Sequence, residues 1–573
     1  MSEPIARASD LKGDGPHGLS AAGTDLVVVR TKAGLRAYEG HCPHQGAMLS
    51  EGELDGDVLV CRNHRWRFAA ESGRHVDGPE HLVACPIRES GGAIYAESST
   101  VAASQAAPRA PTRRIADLPG PKGLPLLGNL HQIDLSALHL QLERWAGEYG
   151  PMYRYRLGPQ LMIAVASPEL NQQVLRQRPE TYRRMSKVEP VFKEMGVAGV
   201  FSAEGAAWRP QRRLSMEALS HRHLRGFYAT LKTVAERLKR RWDAAADRHD
   251  VVDITDDLKR FTVDITTLLT FGHDVNTIDQ HEGELQKRLE LLFPAFHQRL
   301  FAVVPTWRYF RLPRDRRVDR AIAWLQGWLQ ELVAAARTRM AAEPARAENP
   351  SNFLEAMLAA RDEAGRPFSD ETLFGNLMTM LLGGEDTTAY TLAWAVHELC
   401  DSPASVESLR AEAAASSKAD VVPADMETAS GLAYAAAVAK EAMRLRPIAP
   451  LLFHDTNFET VLGDVRLPPR TTVVLLTRLA ALAAEHFDDP TAFRPGRWVG
   501  PPAGAHDPSV HIPFGSGPRL CPGRTLALLE MNVVLSTLYG NFDVERVGRS
   551  ADVREVMAFT MYPEGLRVRL RRR

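Results

Sequence analysis

Ten residues near the end of the chain constrain it most: Phe514-Gly515-Ser516-Gly517-Pro518-Arg519-Leu520-Cys521-Pro522-Gly523. The cysteine sits in a loop almost free of large side chains, with an aromatic residue seven positions before it and an arginine two before it. Glycines at 515, 517 and 523 permit sharp turns that aim backbone N–H groups at a sulfur. Such a loop suits a thiolate that must be shielded from water, and a haem iron that cleaves O–O bonds needs an electron-rich thiolate ligand. Phe514 would supply the wall and Arg519 a partner for a haem propionate. A glycine- and proline-rich surface loop around a packed free cysteine is the other reading of the same residues.

A second cluster of ligating residues lies near the start. Cys42-Pro43-His44 is followed, sixteen residues later, by Cys61-Arg62-Asn63-His64. Two loops that each offer one thiolate and one imidazole can hold a soft metal centre. A Cys2His2 zinc site uses the same ligand set, but zinc fingers pair Cys with Cys and His with His along the chain. One of each per loop suits two irons, one held by Cys42 and Cys61 and the other by His44 and His64. The short apolar runs Leu26–Arg30 and Val58–Val60 between glycine-rich turns predict a small β-domain around these loops. Residues 1–97 resemble a Rieske [2Fe–2S] domain, including the run Gly46–Gly52. Ala47 and Asn63 stand where the respiratory-chain subtype has extra cysteines, so the likeness is to the ferredoxin or oxygenase-associated subtype. A glycine normally follows the second histidine; Arg65 stands here, which brings a positive charge near the cluster and questions a tight turn. Cys85, before Pro86, reads as an inert packed thiol in a late strand.

The Cys521 loop resembles the cysteine-ligand loop of cytochrome P450, and the segments between the two metal motifs extend that resemblance over residues 117–573. Residues 98–116, rich in Ala, Ser, Pro and Arg, read as a linker. Leu118–Asn129 is similar to the proline-rich lead-in of membrane-type relatives. Residues 369–400 predict the longest helix, with Ser369 as N-cap and Asp370-Glu371 in the first turn. It is interrupted by Gly383-Gly384-Glu385-Asp386-Thr387-Thr388, and glycines and acids in a buried helix carry a cost that needs a reason. The resemblance makes this the oxygen-activation groove, with small residues leaving space above the haem and Asp386 with Thr387 delivering protons. It also implies Trp208 and Arg212, four apart on one helix face, as propionate partners. His454 stands where the family commonly has an arginine for the other propionate. Glu441 and Arg444 on a helix over Ala435–Arg446 read alone as a surface ion pair; with Arg497 they match the family's buried structural scaffold. By location, Met378, Leu382, Leu451, Leu452 and Phe559-Thr560-Met561 would line an apolar substrate pocket.

The fold expected is an all-β Rieske-like domain (1–97), a linker (98–116) and a mainly α P450 domain with a smaller β-region (117–573). The resemblance implies haem b, a [2Fe–2S] cluster and insertion of one oxygen atom of O2 into an apolar small molecule. A literal G-x-G-x-x-G, Gly13 to Gly18, follows no strand and reads as a turn. With no nicotinamide module visible, a separate NAD(P)H-dependent ferredoxin reductase is expected as partner. A redox or gas sensor, and a peroxide-driven or isomerising haem–thiolate enzyme, are the alternatives; Asp386 and Thr387 argue against the first and the fused cluster against the second. Net charge is zero, which argues against nucleic acid. Five cysteines make no disulfide framework, and neither a signal core nor a spanning run is present, so a cytoplasmic location without a transmembrane segment is expected. Residues 1–97 carry 10 basic and 14 acidic side chains, so a −4 domain faces a +4 remainder.

Overall fold

The computed structural model describes residues 4–11, 13, 15–21, 24–62, 65–96, 111–280, 283–361, 365–416, 422–500 and 506–573. His64 and most of the expected linker therefore lie outside the described residues.

The strand Thr24–Thr31 organises the N-terminal domain, paired antiparallel with His17–Ala21 on one side and Gly34–Glu39 on the other. Successive side chains on a strand point to opposite faces. Leu26 and Val28 enter one core with Ala37, Cys85 and Ile94; Val27 and Val29 enter another with Tyr38, Leu59 and Phe68. Burial on both faces accounts for the unbroken apolar run. A second antiparallel sheet, Glu53–Asp55, Val58–Val60 and Arg67–Ala69, carries the loop that begins at Cys61. Cys85 is buried as expected, but it lies just before the strand Ile87–Ser90 rather than in it.

Residues 111–116, at the end of the expected linker, are built into the larger domain. Arg113 and Arg114 pair in parallel with Val465 and Arg466, and the Arg113 guanidinium grips Asp464 at 2.7 and 2.8 Å. The lead-in then lies close on the sheet: a Cβ on Gly120 would stand 1.9 Å from the Arg154 carbonyl oxygen, so only glycine fits. The principal sheet of the larger domain runs Met152–Leu157, Gln160–Val165, Thr472–Leu476, Leu451–Thr456, Tyr182–Arg184 in spatial order.

The helices that build the core around the candidate site are α1 (Trp208–Ala218), α2 (His221–Asp247), α3 (Ile254–Phe271), α4 (Asp370–Leu399), α5 (Ala433–Leu445) and α6 (Arg524–Asn541). Ser369 caps α4 by accepting from Thr372 N–H, as predicted, and α4 shares its 30-residue length with the helix Pro313–Ala342. Pro210 falls in the first turn of α1, where its missing N–H is not needed. α5 begins two residues earlier than expected and stops before Pro447. Among the described residues no helix is long and apolar enough to cross a membrane.

In the expected Glu–Arg–Arg scaffold Glu441 and Arg444 are fully buried and Arg497 is partly buried. Arg444 donates to both Glu441 oxygens at 2.8 Å and to the carbonyls of Ala481, Pro490 and Ala492. Glu441 also accepts from Arg497 Nε at 3.1 Å, Trp498 Nε1 at 2.8 Å and the Arg494 N–H at 2.9 Å. A buried ion pair holds only when its remaining hydrogen-bonding capacity is met, and here it is.

Candidate active site and metal centres

Cys521 ends a loop whose left-handed turns at Gly515 (φ 77°) and Gly517 (φ 71°) need glycine. A side chain at 517 would also strike the Leu175 carbonyl oxygen, 2.3 Å from its Cβ. The Cys521 N–H closes the loop on the Phe514 carbonyl at 2.9 Å, and α6 begins three residues later. Burial pushes the thiol up, against the Gly523 N–H and the charges of Arg212, Arg524 and Arg62. The residue is nevertheless exposed.

The expected oxygen-activation groove lies on α4. Its two central glycines serve different ends: Gly384 brings α4 against α3, since a Cβ there would meet Thr266 Oγ1 at 2.5 Å, whereas Gly383 faces open space. Only Gly383 leaves room, where the sequence had both doing so. Thr387 Oγ1 donates to the Gly383 carbonyl at 2.8 Å, on this open face. Burial pushes the Asp386 carboxyl up to about 6, with Lys259 and the Tyr390 hydroxyl opposing. Lys259 on α3 stands 3.9 Å from Asp386 and 2.9 Å from Glu290, whose side chain is half exposed. Carboxylate, ammonium and carboxylate thus link the helix interior to solvent. Glu385 is fully buried with no hydrogen-bond partner on either oxygen, and burial beside Asp386 pushes its carboxyl well above the usual range. On α6, burial pushes Glu530 up to about 8 against a hydrogen bond from Thr388. Lys259 and Glu530 were not legible in the sequence; Glu530 stands as a lone charge within an apolar helix, whereas Lys259 is hidden among Asp256, Asp257 and Arg260.

A third group gathers around His454. His454 lies opposite Arg184 in the sheet and is buried with both ring nitrogens unpartnered. Burial, then Arg178, Arg184 and Arg519, hold it well below the usual imidazole range. Arg519 stacks 4.2 Å over the buried Trp208 ring and pairs with Glu204 at 2.7 Å. Nε and one Nη of Arg178, and Nε and one Nη of Arg519, have no acceptor. Three guanidinium groups against the single carboxylate of Glu204 leave two positive charges unmatched, which fits the two propionates of haem. Arg178 and Arg184, far from any motif, were not legible in the sequence. Arg212 is engaged elsewhere: it donates to both oxygens of Glu51 at 2.8 and 2.9 Å and to the Leu520 carbonyl at 2.6 Å.

The expected substrate positions divide. Leu451, Met378, Leu382 and Phe559 share one core, and Phe559 joins a ring cluster with Phe192, Phe201, Phe293 and Phe296. Leu452 does not belong there. It alternates with Leu451 on one strand and packs with Ile163 and Val165 in a separate core. Thr560 and Met561 are buried beside Phe559 in sequence.

In the N-terminal domain Cys42 and Cys61, from different loops, lie within hydrogen-bond reach of each other and are buried. Each heads a tight turn, the Cys42 N–H donating to Ala47 and the Cys61 N–H to Trp66, both at 2.8 Å. His44 stacks on Trp66 at 4.5 Å. Two adjacent thiols with an imidazole on the same loop fit a [2Fe–2S] centre whose first iron is held by both cysteines. Arg65 adopts φ 60°, the left-handed conformation a glycine would supply, so the tight turn is kept. Its guanidinium meets Glu53 at 3.2 Å, which offsets the charge it adds.

These loops do not stand free. Gln45 O accepts from Ser516 Oγ at 2.7 Å and from the Gly517 N–H at 2.9 Å, and Arg176 donates to His44 O at 2.6 Å. Leu520 is buried in the same core as Cys42, Cys61 and Leu49, a contribution of about 1.5–3 kcal/mol for such a side chain. Arg209 reaches Asp25 at 3.0 Å, while Arg213 on the same helix stays exposed.

Family models match this arrangement domain by domain: Rieske [2Fe-2S] domain over residues 2–86 and Cytochrome P450 over residues 118–569. The chain is 28% identical over 471 residues to human 25-hydroxyvitamin D-1 alpha hydroxylase, mitochondrial, covering 79% of this chain and 91% of that one. It is 25% identical over 464 residues to LUTEIN DEFICIENT 5, chloroplastic, of Arabidopsis thaliana (78% and 76% covered). A self-sufficient cytochrome P450 monooxygenase of Penicillium freii is 27% identical over 462 residues, with 43% of its own length matched. The chain belongs to the cytochrome P450 family, as a haem monooxygenase fused to an N-terminal Rieske [2Fe–2S] domain.

Proposed function

We propose that this monooxygenase inserts one oxygen atom of O2 into an apolar small-molecule substrate, with electrons reaching its haem from its own iron–sulfur cluster. The observation that carries this reading is the seating of the Cys42–Met48 loop on the Cys521 loop, through Gln45, Ser516 and Gly517. Haem, when bound, supplies the activation of dioxygen. The chain supplies the rest. Cys521 offers the sulfur ligand, and Arg178, Arg184, Arg519 and His454 form the polar edge that would hold the propionates. Thr387 and Asp386, backed by Lys259 and Glu290, hold and pass a proton at the open face of α4. The phenylalanine cluster around Phe559 excludes water and supports an apolar substrate. A [2Fe–2S] cluster carries one electron and the reaction consumes two, so the cluster must be refilled within each turnover. A separate NAD(P)H-dependent reductase fills that role in this proposal.

Cys61→Ser tests it. The variant should lose reductase-driven product formation while keeping the reduced-CO band of a thiolate-ligated haem. Reductase-driven turnover at the wild-type rate would rule the cluster out as donor.

A further inference from the structure

We propose that Arg62 is the positioning residue that fixes the cluster loop against the haem-ligand loop, so that electrons cross between centres held in one geometry and not by a swinging domain. This rests on the reading that the cluster feeds the haem. Arg62 directly follows the cluster ligand Cys61. Its guanidinium donates to the carbonyls of Met216 at 3.1 Å, Leu219 at 2.5 Å and Pro522 at 3.4 Å, and lies 3.9 Å from Met216 Sδ. These acceptors all belong to the catalytic domain, and Pro522 directly follows Cys521. One side chain therefore ties the neighbour of one metal ligand to the neighbour of the other.

The acceptors explain why the residue is an arginine. Met216 lies in the last turn of α1 and Leu219 caps it. Carbonyls there have no intrahelical partner and carry the negative end of the helix dipole, which favours a cation. A planar guanidinium reaches several carbonyls at once, whereas an ammonium is a point donor. The same helix carries Arg212 to Glu51 and Leu520, so α1 is gripped from the cluster domain at two places along its length. By contrast Arg209, at the rim of the contact, is 39% exposed in its pair with Asp25 and holds little.

The test uses the full-length holoenzyme and Arg62→Ala. Cluster-to-haem transfer is followed under CO after flash reduction of the cluster, and amide hydrogen exchange is followed over 42–62 and 514–524. The variant should keep its cluster signal and CO band. Transfer should slow by about tenfold or more, the population change that losing one charged hydrogen bond gives, and both loops should exchange faster. Wild-type transfer and wild-type exchange in Arg62→Ala would overturn the proposal. If the wild type itself shows no transfer, the donor reading fails, and exchange alone still decides whether Arg62 holds the seat. Should Arg62→Ala lose its cluster, Arg62→Lys carries the test, with slower transfer and faster exchange expected and wild-type values overturning.

Discussion

Glu51 and Arg212 come from different domains and meet as a two-point ion pair, Nε to Oε1 at 2.8 Å and Nη2 to Oε2 at 2.9 Å, with both side chains nearly buried. Breaking a buried pair by removing one charge leaves the other stranded and costs about 3–5 kcal/mol. In Glu51→Gln the stranded group is Arg212, which still holds Leu520. The loss should therefore fall on the domain contact. On heating, bleaching of the cluster should precede loss of the haem band in the variant, where the two coincide in the wild type. Coincident transitions in both proteins would mean that the pair does not couple the domains.

Thr387 offers the one hydroxyl placed on the open face of α4 beside Asp386. Thr387→Ala should still bind haem and substrate but divert reducing equivalents into hydrogen peroxide, since the proton relay loses its last member. Product and peroxide are measured per NAD(P)H consumed. An unchanged ratio removes Thr387 from proton delivery and turns attention to Thr388, which bonds Glu530 instead.

Acid stability should depend on Glu555. Burial works against its charge, yet His139 at 2.5 Å, Arg478 at 2.8 Å and Arg446 at 2.6 Å hold the carboxyl down to about 2, from an ordinary 4.5. A folded pKa below the unfolded one gives stability that is present above pH 4.5 and is lost as pH falls towards about 2. The shift corresponds to about 3 kcal/mol. Glu555→Gln should lower the urea midpoint at neutral pH and flatten the acid limb over that window. A variant with the wild-type pH profile would show that the three partners do not act through this carboxyl.

Much of this architecture was legible because it is written in local patterns. The Cys521 loop, the Cys42 and Cys61 loops, the cap at Ser369 and the acid–alcohol pair at 386–387 each lie within a few consecutive residues. What escaped the sequence is convergence from distant segments. The Arg178–Arg184 segment, His454 and Arg519 come together from three separate stretches, and no spacing rule links them. Lys259 reaches Asp386 from another helix. Leu452 was misplaced because two adjacent apolar residues on a strand look alike in sequence and face opposite ways. Arg65 breaks the expected glycine pattern but takes up the glycine conformation, which composition alone could not reveal.

The central claim is that the cluster reduces the haem of its own chain across the Gln45–Ser516 contact. Flash reduction of the cluster in the CO-saturated full-length protein, followed by the rise of the haem–CO band, measures it directly. The account predicts first-order transfer with a rate constant independent of protein concentration, because the donor is already seated. A rate that rises in proportion to concentration, or a cluster that stays reduced beside an oxidised haem, would contradict it.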